Sequence, residues 1–73
     1  MERIEIIRMF EDMLDIQAES IQEDTLLSEI PEYDSMTKLS LIVMCDDEFG
    51  KKLTGERIIE FKTVKDILDF IEQ

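Results

Sequence analysis

Asp34-Ser35-Met36 stands where a polar, turn-forming loop gives way to an apolar run from Leu39 to Phe49. A hydroxyl at the start of a helix, with an acid before it and apolar side chains after it, suits a group that a separate enzyme reaches and modifies covalently. Nothing else in the 73 residues offers comparable chemistry. The chain has no histidine to serve as a base near neutral pH, and no serine or cysteine is paired with one, so catalysis by this chain alone is not expected. Acids are plentiful, but a carboxyl reaches a raised pKa through burial, and carboxylates spread over exposed faces stay ionised. Asp46-Asp47-Glu48 lacks the alternating acids, central glycine and distal glutamate of a calcium loop and reads as a solvated helical face.

The elements that must position this serine follow from periodicity and capping. Ile6, Met9, Phe10 and Met13 recur at helical spacing and place a first helix over residues 2–14, with Glu2, Glu5, Glu11 and Asp12 largely on its other side. Residues 15–33 form a long polar loop, and the anchors Ile16, Ile21, Leu26, Leu27 and Ile30 predict that it is pinned across the core. Pro31 disfavours helix at Ile30 and closes the loop ahead of the Asp-Ser pair. A second helix runs from Asp34 or Ser35 to about Gly50, with Asp34 as N-cap and Gly50 in the left-handed position that ends many helices. Leu41, Met44, Cys45 and Phe49 can face a core. Met36, Leu39 and Val43 make a second stripe beginning beside Ser35, and in so small a body partial exposure of that stripe is expected. A short helical piece over residues 56–60 contributes Ile58, Ile59 and the following Phe61. Thr63-Val64-Lys65-Asp66 resembles a capping box that opens a last helix carrying Val64, Ile67, Leu68 and Ile71. The expected fold is all-α: a small four-helix bundle with a long first loop and a short third helix, one domain over residues 1–73.

Composition narrows the partners. The net charge of −11 repels nucleic-acid phosphates and anionic lipid and favours basic protein surfaces. The charge is uneven: residues 1–34 hold 11 acids against 2 bases, residues 35–73 hold 8 against 6, and residues 35–45 hold no acid at all. The longest unbroken apolar run, Leu41 to Cys45, is far short of the roughly 20 residues that span a bilayer. The N-terminus has no basic leader or long apolar segment, so a cytoplasmic monomer is expected. Cys45 allows no internal disulfide and, inside an apolar run, reads as a small core side chain.

Taken alone, Asp34-Ser35 would be an ordinary helix cap. The surroundings reverse that: Asp-Ser-Met, an apolar helix ending Asp-Asp-Glu-Phe-Gly, the spaced Leu53, Ile58-Ile59, Phe61-Lys62-Thr63-Val64 and Asp66-Ile67, with Glu23-Asp24-Thr25-Leu26 upstream. Over nearly its whole length the chain resembles the acyl carrier protein family. The resemblance implies that Ser35 is the attachment site of a covalent phosphopantetheine, added by a phosphopantetheinyl transferase from coenzyme A with magnesium, and that Asp34 helps that enzyme dock or organise its metal. It implies a non-catalytic carrier whose arm bears cargo as a thioester, supplying the accessible sulfur that Cys45 does not. It implies that Met36, Leu39 and Val43, with Lys38 the charged residue among them, meet partner enzymes. It also implies that Ile6, Phe10, Leu41, Cys45, Ile58, Ile59, Ile67 and Leu68 line the space in which such carriers shelter an acyl chain, although these are equally good plain core.

The departure from the family pattern is informative. Fatty-acid carriers typically follow the serine with Leu-Asp and, three residues further, a Glu, which makes an acidic docking face. Here those positions read Met36, Thr37 and Ser40, with Lys38 between them. The expectation is an acyl carrier of a fatty-acid-like or specialised pathway, loaded by its own ligase or transferase and serving acyl-processing enzymes. An aminoacyl, peptidyl or D-alanyl carrier is the alternative within the same chemistry. An unmodified helical interaction module using Met36, Leu39 and Val43 is the alternative outside it.

Overall fold

The computed structural model describes residues 2–72. It contains α1 (Arg3–Leu14), a 3-10 turn (Leu27–Glu29), α2 (Ser35–Phe49), α3 (Gly55–Ile59) and α4 (Val64–Glu72), the all-α four-helix bundle expected from the sequence. One cluster of apolar side chains drawn from all four helices and the first loop forms the core.

Helix α1 ends at Asp15, which adopts the left-handed conformation with φ 59°. Its buried face is Ile6, Ile7, Phe10, Glu11 and Leu14, so it is turned away from the Ile6-Met9-Phe10-Met13 stripe expected from periodicity. Glu11, placed on the solvent side by its charge, is in fact 1% exposed. One carboxylate oxygen accepts the backbone N–H groups of Ser20 (3.0 Å) and Ile21 (3.2 Å), and the other accepts from Arg8 at 2.8 Å. A carboxylate can be buried where its oxygens are matched in this way.

These bonds tie the first loop to α1, and the same loop is stitched to the start of α4. Leu26 and Thr63 form an isolated antiparallel bridge. The Leu27 N–H donates to the Lys62 carbonyl (2.9 Å), Val64 to Thr25 (3.1 Å) and Lys65 to Glu23 (2.8 Å). Of the five loop anchors expected, Ile21, Leu27 and Ile30 are buried and Ile16 is partly so. Leu26 is exposed instead, because extended backbone sends successive side chains to opposite sides and Leu27 takes the inward one. Arg3 closes the ends of the fold: it contacts Glu23 of the loop at 2.6 Å, and Asp69 (2.6 Å) and Glu72 (2.8 Å) of α4.

Both later caps form as the sequence predicts. Gly50 has φ 63°, and its N–H and that of Lys51 donate to the Asp46 and Cys45 carbonyls. Asp66 accepts from the N–H groups of Lys62 (2.9 Å) and Thr63 (3.1 Å), while the Thr63 hydroxyl oxygen accepts from the Asp66 N–H. Thr54 caps α3 by accepting from the Arg57 N–H. On that one-turn helix, adjacent residues point about 100° apart. Ile58 is therefore buried and Ile59 is 75% exposed, which removes Ile59 from the residues expected to line the interior.

Candidate attachment site at the start of the second helix

Ser35 is the first residue of α2, and Asp34 is its N-cap in extended conformation. The Asp34 carboxylate accepts from the backbone N–H groups of Met36 (3.1 Å) and Thr37 (3.0 Å). In return, the Thr37 hydroxyl oxygen accepts from the Asp34 N–H at 2.7 Å, completing a capping box with threonine in the place that glutamate usually takes. The hydrogen bond from Thr37 leads the interactions that hold the Asp34 carboxyl below the usual carboxylate range. With Asp34 occupied as the cap, Ser35 has no capping duty. It is exposed, and its hydroxyl has no hydrogen-bond partner among the described residues.

Beyond the serine, α2 is divided lengthwise. Leu41 and Cys45 are fully buried, whereas Met36, Leu39 and Val43 are 78%, 65% and 57% exposed. At 3.6 residues per turn the two sets lie on nearly opposite sides of the helix. Leu39 and Val43 border a shallow groove with Ser40, Met44, Asp47 and Glu48. Lys38 is set apart from this stripe, with its ammonium 5.6 Å from the centre of the Tyr33 ring. Ile6, Phe10, Leu41, Cys45, Ile58, Ile67 and Leu68 meet in one core cluster. Burial pushes the Cys45 thiol up to about 11, so the chain's own sulfur is both enclosed and protonated near neutral pH.

Sequence reasoning missed Glu11, Arg3 and Tyr33. Tyr33 lies two residues before Ser35 and packs partly buried against the core, its ring edge-on to Phe10 at 6.1 Å. Its hydroxyl is withdrawn from solvent and has no hydrogen-bond partner among the described residues. Burial raises its pKa to about 12. The sequence held one signal for it: an aromatic between Pro31 and the cap has to find somewhere to bury its ring.

Fold and site together define a class: a small helical bundle that presents one free hydroxyl at a helix start, beside an exposed apolar stripe. The phosphopantetheine attachment site family matches residues 5–71. The acyl carrier protein of Thermosynechococcus vestitus is 33% identical over 60 residues, covering 82% of this chain and 74% of the relative. Those of Micrococcus luteus (33%, 84% of this chain and 69% of the relative) and Myxococcus xanthus (33%, 82% and 70%) are similar to the same degree. The chain belongs to the acyl carrier protein family. The prosthetic group of that family, a covalently attached phosphopantetheine, fits the start of α2: the hydroxyl is free, and the positive end of a helix favours a phosphate. Among the described residues, no helix is long and apolar enough to cross a membrane.

Proposed function

We propose that this protein is a non-catalytic acyl carrier in which Ser35 receives phosphopantetheine from coenzyme A through a phosphopantetheinyl transferase. The observation that carries the reading is the division of labour between Asp34, which caps α2, and Ser35, whose exposed hydroxyl is left unbonded. The hydroxyl oxygen gives up its proton and forms a phosphodiester with the pantetheine phosphate as the pyrophosphate link of coenzyme A breaks and its adenosine 3′,5′-bisphosphate half leaves. Once attached, the arm supplies a thiol on which an acyl group travels as a thioester. Asp34, exposed and ionised next to the serine, is positioned to orient the transferase or its magnesium. A thiol-ended arm must stay reduced to accept cargo, which favours the cytoplasm as the working compartment.

Met36, Leu39 and Val43 supply the apolar contacts to partner enzymes, and Lys38 is the charge closest to them in sequence. With no acid between residues 35 and 45, the part of this face next to Ser35 suits partners without the basic patch that an acidic carrier helix would need, and acids join the groove only at its far end, with Asp47 and Glu48. The carrier therefore serves a dedicated loading ligase or transferase and its acyl-processing enzymes. Aminoacyl, peptidyl or D-alanyl cargo is the competing assignment on the same arm.

Incubation with a broad-specificity transferase and coenzyme A, read by intact mass, tests the attachment. The native chain gains one phosphopantetheine and Ser35→Ala gains none. No gain on the native chain, or an undiminished gain on the variant, overturns the assignment.

A further inference from the structure

An arm attached at Ser35 sets a phosphodiester, one more negative charge, beside the exposed and ionised Asp34 on a chain that already carries −11. The positive end of α2 favours that charge, but its nearest donors are engaged. The Asp34 carboxylate holds the N–H groups of Met36 and Thr37, and the Asp34 carbonyl accepts that of Lys38 at 3.0 Å. A phosphate here therefore gains most from a side chain that brings a positive charge.

Lys38 is the only base in α2. It stands one turn after Ser35, and side chains three apart on a helix have Cβ atoms about 5–6 Å from each other, within reach of a lysine stem. Asp34, four positions before Lys38, has the usual spacing for an ion pair, yet its carboxylate is turned to the helix start. Among the described residues no ion pair joins Lys38 to a carboxylate, and its ammonium rests 5.6 Å from the centre of the Tyr33 ring. A cation over a ring at a partly exposed site is held weakly, so an anion nearby can draw it away. Its flank is also defined. At about 100° per residue, Lys38 lies about 60° to one side of Ser35 around α2, whereas Leu39 and Val43 lie about 40° and 80° to the other.

We infer that Lys38 binds the phosphate of the arm on Ser35 and holds the root of the arm on its own flank of α2. The exposed stripe of Met36, Leu39 and Val43 then stays clear for a partner while the arm is in place. The inference rests on the carrier reading above and extends it from the point of attachment to the course the arm takes.

The test compares the native chain, Lys38→Gln and Lys38→Arg, each isotope-labelled, loaded with an unlabelled arm and verified by intact mass. In isotope-filtered NMR spectra at about 0.01 M salt, where attraction between charges is little screened, the two arm methyl groups next to the phosphate should show cross-peaks to the Lys38 side chain. The ε-methylene protons of Lys38 should shift on attachment as the ammonium leaves the Tyr33 ring. Lys38→Arg should keep the cross-peaks, because a guanidinium also binds phosphate, and Lys38→Gln should lose them. Each loaded chain is also melted against its own unmodified form. The change on loading should be more favourable by about 2 °C in the native chain than in Lys38→Gln, and that difference should vanish at about 1 M salt.

Arm methyl groups without cross-peaks to Lys38, or in contact with Leu39 and Val43 instead, overturn the inference. So does a Lys38 signal unmoved by attachment, or an equal change in melting temperature at low salt. A native chain that is modified beside a Lys38→Gln that is not would assign Lys38 to the transferase contact, and the inference falls. Failure of the carrier reading is seen separately, as the absence of any mass gain on the native chain, and takes the inference with it.

Discussion

Helices α2 and α4 are both rich in apolar residues, yet they use them differently. Val64, Ile67, Leu68 and Ile71 of α4 are all buried, so the helix has one apolar side and a charged one. In α2 only Leu41 and Cys45 are fully buried, and Met36, Leu39 and Val43 face outward. The capping boxes at their starts differ in the same sense. At α4, Asp66 bonds back to Lys62 and Thr63 and anchors a segment already stitched to the first loop. At α2, Asp34 and Thr37 satisfy the helix start between them and leave Ser35 available. The apolar side chains of α4 add to cohesion, whereas an exposed stripe such as that of α2 adds little to folding, in keeping with the presenting role proposed for it.

Truncation separates the two roles most sharply. Leu68→Ala should cost about 2–5 kcal/mol, because the side chain is fully buried and its removal leaves a cavity. For a domain of this size that is enough to unfold much of the population at room temperature. Leu39→Ala should stay within about 0.5 kcal/mol of the native chain in a denaturant titration while slowing acyl loading by its partner. If Leu39→Ala proved as destabilising as Leu68→Ala, the stripe would be packed rather than presented and the contrast would collapse.

The first loop supplies the next largest effect. Glu11→Ala leaves the N–H groups of Ser20 and Ile21 and the Arg8 guanidinium without their shared acceptor, and should cost about 1–3 kcal/mol. Burial by itself would raise the Glu11 pKa, but the loop hydrogen bonds, Ile21 first, and Arg8 outweigh it and hold it below the ordinary glutamate value. A depressed folded-state pKa stabilises the native chain in full above the unfolded-state value of 4.5, and the gain is lost as the pH falls through the folded value. Melting temperature followed from neutral to acidic pH should therefore drop below about pH 4.5, and less steeply in Glu11→Gln. An identical acid profile in that variant would assign the acid sensitivity to Asp34 and Asp66, whose carboxyls are likewise held low by helix-start N–H groups.

The local devices were legible in the sequence because their partners are close along the chain. Asp34 as a cap, Thr63 with Asp66, and Gly50 after an apolar run each announce a helix end through neighbours within one turn, although the reciprocal bond from Thr37 to Asp34 came only with the structure. Ser35, the residue proposed for attachment, stood out for the same reason. What the sequence did not disclose depends on residues far apart. Glu11 looks like a surface acid until its acceptors are matched to Ser20 and Ile21, nine and ten positions away. The choice of Ile58 over Ile59 for the core depends on how a five-residue helix is oriented by the chain on either side, and the exposure of Leu26 depends on its bridge to Thr63. The orphaned Tyr33 hydroxyl depends on every side chain that closes around it.

Salt should have the smallest effect, and it sharpens the same division. The body measures 26 × 26 × 19 Å and carries a net charge of −11. At 0.01 M salt the screening length is about 30 Å, so every carboxylate repels every other; at 0.15 M it is about 8 Å and repulsion across the molecule is largely removed. Melting temperature should rise over that range. Most of the excess charge lies in residues 1–34, so the gain comes from relieving repulsion around α1 and the first loop, where the acid-free part of α2 contributes none. Arg3 opposes that repulsion locally by drawing Glu23, Asp69 and Glu72 to one guanidinium. Arg3→Gln removes this attraction and leaves three acids together, so its melting temperature should be lower and its rise with salt larger than in the native chain. Lys38→Gln, within the acid-free segment, should change the salt response little. A flat response in the native chain, or one that Lys38→Gln alters as much as Arg3→Gln does, would show that the charge asymmetry has no mechanical consequence.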